Sequence, residues 1–480
     1  MAQSIQNREL FETMPVPKAL LSLALPTITS QLITMVYNLS DTFFIGMTED
    51  PYKVAASSLS FSMFFFIHAL AALWSVGGST LVSRLLGRRE PDEARTVCTI
   101  SLCGAGLLTL LYCLACLFFM EPLLRLMGAS DNTIGYSCDY TVWATVIGGI
   151  PSCLTIVLAN MLRSEGHAKN AAFGLGIGSV LNIALDPLLM FVILPKGQEI
   201  VGASVATMIS NYVSLAYFIV IFRRLRRTDS VLIFDLRTLR RGLKHLREIL
   251  SVGVPSALMA ALSSVSAMLV NVMIARYGDI PLAALGIVKK IDMLPMNIAS
   301  GFGMAMVPLV AYNYAAGNYR RMTETIRFAR RCCVIFAVVC IVLFELFPRM
   351  MVGIFIRESE TLAVGARLLR ICCLAIPLML VTFNVNYCFQ AMGLGKQTLL
   401  LSISRQGLIC IPLMFLLRAL FGMYGIVAAQ PAADLITMCI ALLLFRRQQS
   451  WLHAEQIEAQ LDAENTGAHI SQDGKAEDAE

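Results

Sequence analysis

Long apolar runs separated by short polar connections dominate this chain of 480 residues. The runs are about 20 residues or longer, which suits membrane-spanning helices rather than the ~10-residue strands of a membrane barrel. Twelve spans are predicted, at residues 19–45, 54–82, 95–119, 138–161, 171–194, 201–222, 250–275, 282–309, 331–347, 368–391, 398–418 and 423–445. Because backbone polar groups must be paired inside a bilayer, the pattern indicates an all-α polytopic membrane protein.

Composition agrees with this class: 57% of the residues are apolar and only 15% are charged. Soluble domains carry about 25% charged residues. No GxxxxGK[ST] motif, metal-ligand cluster or nucleophile–base set occurs in the sequence. We therefore expect neither an enzyme nor a chain with its own ATPase domain, and we expect no cofactor and no nucleic-acid partner.

The two halves of the chain repeat each other. Pro26 in SLALPTI matches Pro255 in SVGVPSA at an offset of 229 residues, and VAASSL at 54 matches LAALGI at 282 at an offset of 228. The register continues from LRSEGHAK at 162 to FQAMGLGK at 389, and from VGASVAT at 201 to YGIVAAQ at 424. Six spans return the chain to its starting side, so the halves form two parallel, pseudo-symmetric six-helix lobes.

Charge predicts the orientation. Arginine and lysine concentrate in the 2–3 and 8–9 connections and between the halves, whereas the facing connections carry few. Excess basic charge marks the cytoplasmic side, so both termini are predicted to lie in the cytoplasm and the protein in the cell (plasma) membrane. The predicted parts are a cytoplasmic segment 1–18, an N-lobe 19–222, a basic amphipathic linker helix 223–249 capped by Asp235, a C-lobe 250–446 and a polar cytoplasmic tail 447–480.

Several polar residues interrupt the spans of the first half. Tyr37 and Asp41 share a helix face at i, i+4, as do Asn182 with Asp186 and Thr207 with Asn211. A charge at the bilayer centre costs roughly 2.5–3.5 kcal/mol on insertion scales, so intramembrane acids usually serve a function. The candidate coupling residues are Tyr37, Asn38, Asp41, Asn182, Asp186, Thr207 and Asn211.

Two chemistries are open to this set. Neighbouring carboxylates do not both ionise cheaply, so Asp41 and Asp186 are suited to sharing and releasing a proton. Alternatively, oxygens of Asp41, Asn182 and Asp186 are suited to a hard cation such as Na⁺. A third reading is that each carboxylate is a hydrogen-bonded structural group. The repeat counterparts are mostly apolar, with Ile411 opposite Asp186, which predicts a largely neutral second half.

Other residues suggest hinges and a substrate cleft. Pro26, Pro187 and Pro255 each remove a helix hydrogen bond and permit a kink. The candidate cleft residues are Met35, Lys289, Asp292 and Met296, because flexible thioethers suit a promiscuous surface and charges suit polar substrates. The alternative is that Lys289 and Lys290 reach the outer membrane surface, or that Lys289 and Asp292 neutralise each other.

The sequence resembles the multidrug and toxic compound extrusion (MATE) family over about residues 15–446. The resemblance rests on LPTITSQLITMVYNLSDTFFIG, SRLLGRREPDEA, LRSEGHAK, NIALDPLLMF and YNYAAGNYRR in that order. It implies two lobes around a central cleft and drug export driven by inward H⁺ or Na⁺. Tyr37, Asp41, Asn182, Asp186 and Thr207 match the family's N-lobe cation network. Spans 7 and 10 lack the acidic residue that some members use for Na⁺.

The leading prediction is a secondary multidrug efflux antiporter that exports amphipathic drugs or toxic metabolites by alternating access. One alternative is a flippase for lipid-linked oligosaccharides of the same superfamily, whose anionic cargo would favour a cleft rich in arginine and lysine. The other alternative is a non-transporting membrane scaffold, which would not need acids on buried span faces.

Overall fold

A computed structural model describes the backbone of residues 9–48, 50–227 and 230–477, and side chains as far as residue 450. Helices form all the regular structure in these ranges. The spans are α1 (Val16–Gly46), α2 (Pro51–Gly87), α3 (Pro91–Phe118), α4 (Ile134–Ile147 with Gly149–Ser164), α5 (Ala168–Ile193), α6 (Glu199–Leu225), α7 (Leu246–Ala275), α8 (Asp279–Ala315), α9 (Tyr319–Leu346) and α10 (Ser359–Met392). The helical stretch after Gly395 contains α11, before Gly422, and α12, from Gly422 to Glu477.

Twelve membrane-length helices follow from these bounds. Within the described residues, nine helices are long and apolar enough to span a membrane, and the α4 pair, bent by 45°, makes ten. α9 is the eleventh. It has 28 residues, but its basic start lowers its hydropathy, so it is not among these ten. The stretch Gly395–Ser450 has 56 residues, about 84 Å of helix against a hydrocarbon core of about 30 Å. Gly422, at φ 60°, divides it into two spans.

The two halves meet through tight helix crossings. A Cβ on Gly77 of α2 would overlap the carbonyl oxygen of Ile249 near the start of α7, and a Cβ on Gly253 would overlap the carbonyl oxygen of Leu73. Small residues allow such close backbone approach in membrane helices. These crossings lie in the half of each helix nearest to the linker. We call that end of the molecule, where α2 and α8 finish and α7 begins, the linker end.

A short N-terminal segment spans both halves at the linker end. The Phe11 ring stacks on Tyr312 of α8 with centroids 4.9 Å apart. Arg321 of α9 donates to the carbonyl oxygens of Phe11, at 2.7 Å, and Leu10, at 3.1 Å. The Leu10 side chain also packs beside Gly166, in the first half's α4–α5 connection. The segment therefore ties the lobes together.

The linker packs on the first half and is not one continuous helix. It comprises short helical segments at Leu236–Thr238, Leu239–Gly242 and Leu243–His245 before α7 begins. Asp235 caps the first segment by accepting a hydrogen bond from the Arg237 backbone N–H at 3.0 Å, as predicted. Gly242 lies against Ile100 of α3. Leu236 and Leu243 point away from the protein, with 60% and 58% of their surface exposed.

The predicted architecture of two repeated six-helix halves is confirmed. The described part of the predicted tail is helical as far as Glu477. Residues 1–8 of the predicted N-terminal segment and 478–480 of the predicted tail lie outside the described residues.

Candidate functional site

The first half buries two carboxylates together. Asp41 of α1 is 7% exposed, and Asp186 of α5 is fully buried. The two interact electrostatically. The i, i+4 spacing of Tyr37 with Asp41 and of Asn182 with Asp186 turns each pair towards the same interior region. The structure thus brings these predicted residues into one polar cluster between α1, α5 and α6.

Asn182 connects this cluster to α6. With its amide oriented to satisfy its neighbours, its nitrogen donates to Asp186 Oδ2 at 3.0 Å. Its oxygen then accepts from the Thr207 backbone N–H at 3.1 Å and from the Thr207 hydroxyl at 3.3 Å. Asn182 is therefore held from both sides, and one oxygen of Asp186 is fixed by it.

Two tyrosines complete the cluster. Tyr37 and Tyr140 each lie close enough to interact with Thr207 and with both carboxylates. The sequence reading missed Tyr140, which lies in α4 just before a π-helical turn at Val142–Ile147. The sequence did contain a clue to Tyr140, which is a tyrosine at the start of an apolar run. A phenol inside a membrane needs a hydrogen-bonding partner.

The cluster has unused acceptor capacity. Within the described residues, Oδ1 of Asp41 and Oδ1 of Asp186 are both buried without a hydrogen-bond partner. Unpaired carboxylate oxygens are costly in a low-dielectric interior, and a proton or a hard cation relieves that cost. Carboxylate, amide and hydroxyl oxygens are the donor set that Na⁺ prefers. The arrangement fits either ligand.

A cavity of about 90 Å³ adjoins the cluster and is lined by Tyr37, Asn182, Thr207 and Asn211. The Asn211 amide nitrogen is buried and has no partner among the described groups. Asn38 is half-buried outside this lining, and its side chain makes no hydrogen bond within the described ranges. Asn211 therefore belongs to the neighbourhood of the site, whereas the role of Asn38 stays a prediction.

The predicted cleft residues on α8 differ in exposure and in their partners. Lys289 donates to Asn271 Oδ1 of α7 at 3.0 Å, and no ion pair joins it to Asp292 within the described residues. Met296 is 45% exposed and Lys290 is also exposed. Met35 is half-buried on α1. Lys289 therefore links α8 to α7, and the grouping of these residues in one cleft stays a prediction.

The second half is not neutral, so that prediction was wrong. Arg405 of α11 donates to the Asp434 carboxylate of α12 at 2.6 Å, and Gln430 donates to it at 3.3 Å. Asp292 interacts electrostatically with both charges of the pair. The repeat could have predicted this polar group, because Gln430 and Asp434 occupy the positions of Thr207 and Asn211.

The predicted hinge prolines all lie inside helices. Pro26 is in α1 and Pro255 is in α7. Pro187 is followed at once by a π-helical turn, Leu189–Ile193, at the end of α5. Both features break the regular hydrogen-bond ladder, and such breaks are common at functional sites.

The repeat has a counterpart among known families. The MatE family model matches residues 26–188 and 255–416, two segments whose starts are 229 residues apart. The chain belongs to the MatE family. Members of this MATE family are transporters and not enzymes, and the chain is a multi-pass efflux transporter. The two matched segments lie within the two halves of the fold, from α1 to α5 and from α7 to α11.

Similar proteins agree with this assignment. The multidrug export protein MepA of Staphylococcus aureus (strain MSSA476) is 29% identical over 434 residues, covering 90% of this chain and 94% of the relative. MepA of Staphylococcus saprophyticus subsp. saprophyticus is also 29% identical with the same coverage. A MATE transporter crystallised in complex with MaD5 gives a TM-score of 0.85 at 24% identity, covering 94% of this chain and 99% of that one.

Proposed function

We propose that this MATE transporter is a secondary antiporter that exports amphipathic organic compounds in exchange for H⁺ or Na⁺. The observation that carries the proposal is the burial of Asp41 and Asp186 together, each with one oxygen unpartnered. A scaffold protein has no need for such a costly pair. The multidrug export relatives support drugs or toxic metabolites as the substrates.

The coupling ion acts at the junction of α1, α5 and α6. Binding of a proton or Na⁺ at Asp41 and Asp186 removes the unfavourable charge and changes the interactions that hold α1 against α5. Pro26 weakens the hydrogen-bond ladder of α1 below this point. A membrane potential of 100 mV supplies about 2.3 kcal/mol for each charge that crosses. That is enough to bias two states of similar stability.

The orientation follows from charge. The linker end carries the basic α2–α3 and α8–α9 connections and the linker, so we place it in the cytoplasm of a plasma-membrane protein. The contact between the lobes near that end supports an outward-facing state.

Transport in proteoliposomes tests the proposal. We expect efflux of a fluorescent organic cation to follow an imposed H⁺ or Na⁺ gradient, and Asp41→Asn and Asp186→Asn to abolish that dependence. The matched control is Asp131→Asn, since Asp131 is an exposed acid paired with Arg125 in the α3–α4 connection. Gradient-driven efflux that persists unchanged in both Asp41→Asn and Asp186→Asn would refute the mechanism.

A further inference from the structure

A small cavity lies on the pseudo-twofold axis that relates the two halves. Its volume is about 40 Å³, and α2, α4, α8 and α10 line it. The lining residues come in repeat-related pairs, at offsets of 227 or 228 residues: Ser79 with Val307, Thr80 with Pro308, and Arg163 with Gln390. We call this space the axial cavity. It lies where the lobes touch, away from the Asp41–Asp186 cluster.

Arg163 places an uncompensated positive charge there. The residue is 4% exposed, and its Nη1 donates to Asn160 Oδ1 at 3.0 Å. Its Nε and Nη2 groups are buried without a hydrogen-bond partner, and no carboxylate forms an ion pair with it in the described part of the chain. An isolated buried charge costs several kcal/mol, so a compensating group is expected.

The remaining lining, which includes the Tyr387 phenol that interacts with Arg163, supplies neutral groups and no negative charge. The hydroxyls of Thr80 and Ser83 already donate to backbone carbonyl oxygens, at 2.8 and 3.2 Å. On the other half, Gln390 is neutral where Arg163 is charged. Arg163 therefore offers free, strongly charged donors into a space whose protein walls carry no balancing negative charge.

We propose that the axial cavity is an anion-binding site in which Arg163 holds either a small inorganic anion or the carboxylate of a transported compound. A volume of about 40 Å³ is enough to admit a small group, since a single water molecule needs about 10–15 Å³ of such space. Halide ions and carboxylate groups have this scale. The second source rests on the proposed export function, whereas the first does not.

The axial position gives the site a natural cycle. While the lobes touch at the linker end, the anion is enclosed between them. When the lobes separate at that end, Arg163 becomes open to the linker side and exchanges its anion there. The same site would give zwitterionic compounds a second point of contact, far from the acids of the first half.

Halide binding is the first measurement. We expect crystals of the wild-type protein grown with bromide to show an anomalous peak beside Arg163. Chloride should raise the Tm of the purified protein relative to gluconate at equal ionic strength. Arg163→Gln, which installs the residue of the repeat counterpart, should weaken halide binding by about tenfold or more, since charge-assisted bonds are strong. Arg223→Gln, at an exposed arginine, is the matched control.

Binding of an amphipathic carboxylic acid and its methyl ester to the same proteins separates the two sources. Halide binding that depends on Arg163 supports the inorganic anion, and a loss of affinity for the acid alone in Arg163→Gln supports the transported carboxylate. If neither ligand depends on Arg163 and no bromide peak appears, the proposal is wrong. The wild-type peak remains informative if Arg163→Gln does not fold. Neither assay needs ion-coupled transport, so failure here is distinct from failure of the antiport mechanism.

Discussion

Arg405 and Asp434 form a buried ion pair between α11 and α12, with Nε and Oδ1 2.6 Å apart and Asp434 fully buried. The Arg405 guanidinium also lies over the Phe383 ring, 4.8 Å from its centroid. Arg405 is the second residue of a π-helical turn, Ser404–Ile409. The second half thus stores a polar centre at a local break in its helix, as the first half does.

Asp434→Asn should strongly destabilise the protein. It leaves the Arg405 charge buried without its partner, and breaking a buried pair in this way typically costs about 3–5 kcal/mol. Thermal unfolding in detergent measures the effect. Glu324→Gln is the control, because it breaks the exposed Arg320–Glu324 pair on α9 and should leave the Tm nearly unchanged. Equal Tm values for the two variants would contradict the prediction.

Gly253→Val should prevent the lobes from closing at the linker end. The added Cβ would overlap the carbonyl oxygen of Leu73, and backbone cannot move aside as a flexible side chain can. Distances between spin labels on the two lobes should increase at that end. Gly286→Val is the control, because a Cβ there meets nothing within 4 Å. An unaltered distance distribution in Gly253→Val would show that the crossing does not set the conformation.

Tyr140→Phe should weaken ion coupling without abolishing transport. The change removes a phenol that interacts with Asp41, Asp186 and Thr207, so it costs at most about one hydrogen bond. A neutral hydrogen bond contributes about 0.5–1.5 kcal/mol, so the ion concentration for half-maximal efflux should change by roughly 2- to 10-fold. Tyr112→Phe, which removes a hydrogen bond to the Met63 carbonyl oxygen outside the site, serves as the control. A change of the same size in Tyr112→Phe would argue against a specific role for Tyr140.

Glu165→Gln should change how stability depends on pH. Glu165, in the α4–α5 connection, accepts hydrogen bonds from the Ser230 hydroxyl at 2.6 Å and the Val231 N–H at 2.9 Å. Burial nevertheless raises the pKa of Glu165. Folding therefore favours its protonated form. This contribution is fully present below the unfolded-state pKa of about 4.3 and is lost as the pH rises through the folded-state pKa.

The Tm of the wild type should therefore fall relative to that of Glu165→Gln as the pH is raised from about 4 to 7. His167 lies 3.7 Å from Glu165, and burial lowers the pKa of His167. That residue is present in both proteins, so the comparison largely removes its own titration. A difference in Tm that is constant with pH would exclude Glu165 as the responsible group.

Sequence patterns predicted the helical class, the repeat and the shared helix faces of Tyr37 with Asp41 and of Asn182 with Asp186, because apolar length and i, i+4 spacing are local properties. Tyr140 and Arg405 escaped prediction, because each reaches its partners from a different span, and single-helix periodicity does not report that. Lys289 was paired with Asp292 as one alternative by the same local reasoning, whereas its bond runs across to Asn271. The repeat register was the unused source, since it places Asp434 opposite Asn211.

The hydrogen bond between Arg321 and the Phe11 carbonyl oxygen joins residues that are 310 positions apart in the chain. During synthesis, Phe11 emerges well before α8 and α9 have been made. Its contact with Arg321 therefore forms only after part of the second half has been synthesised.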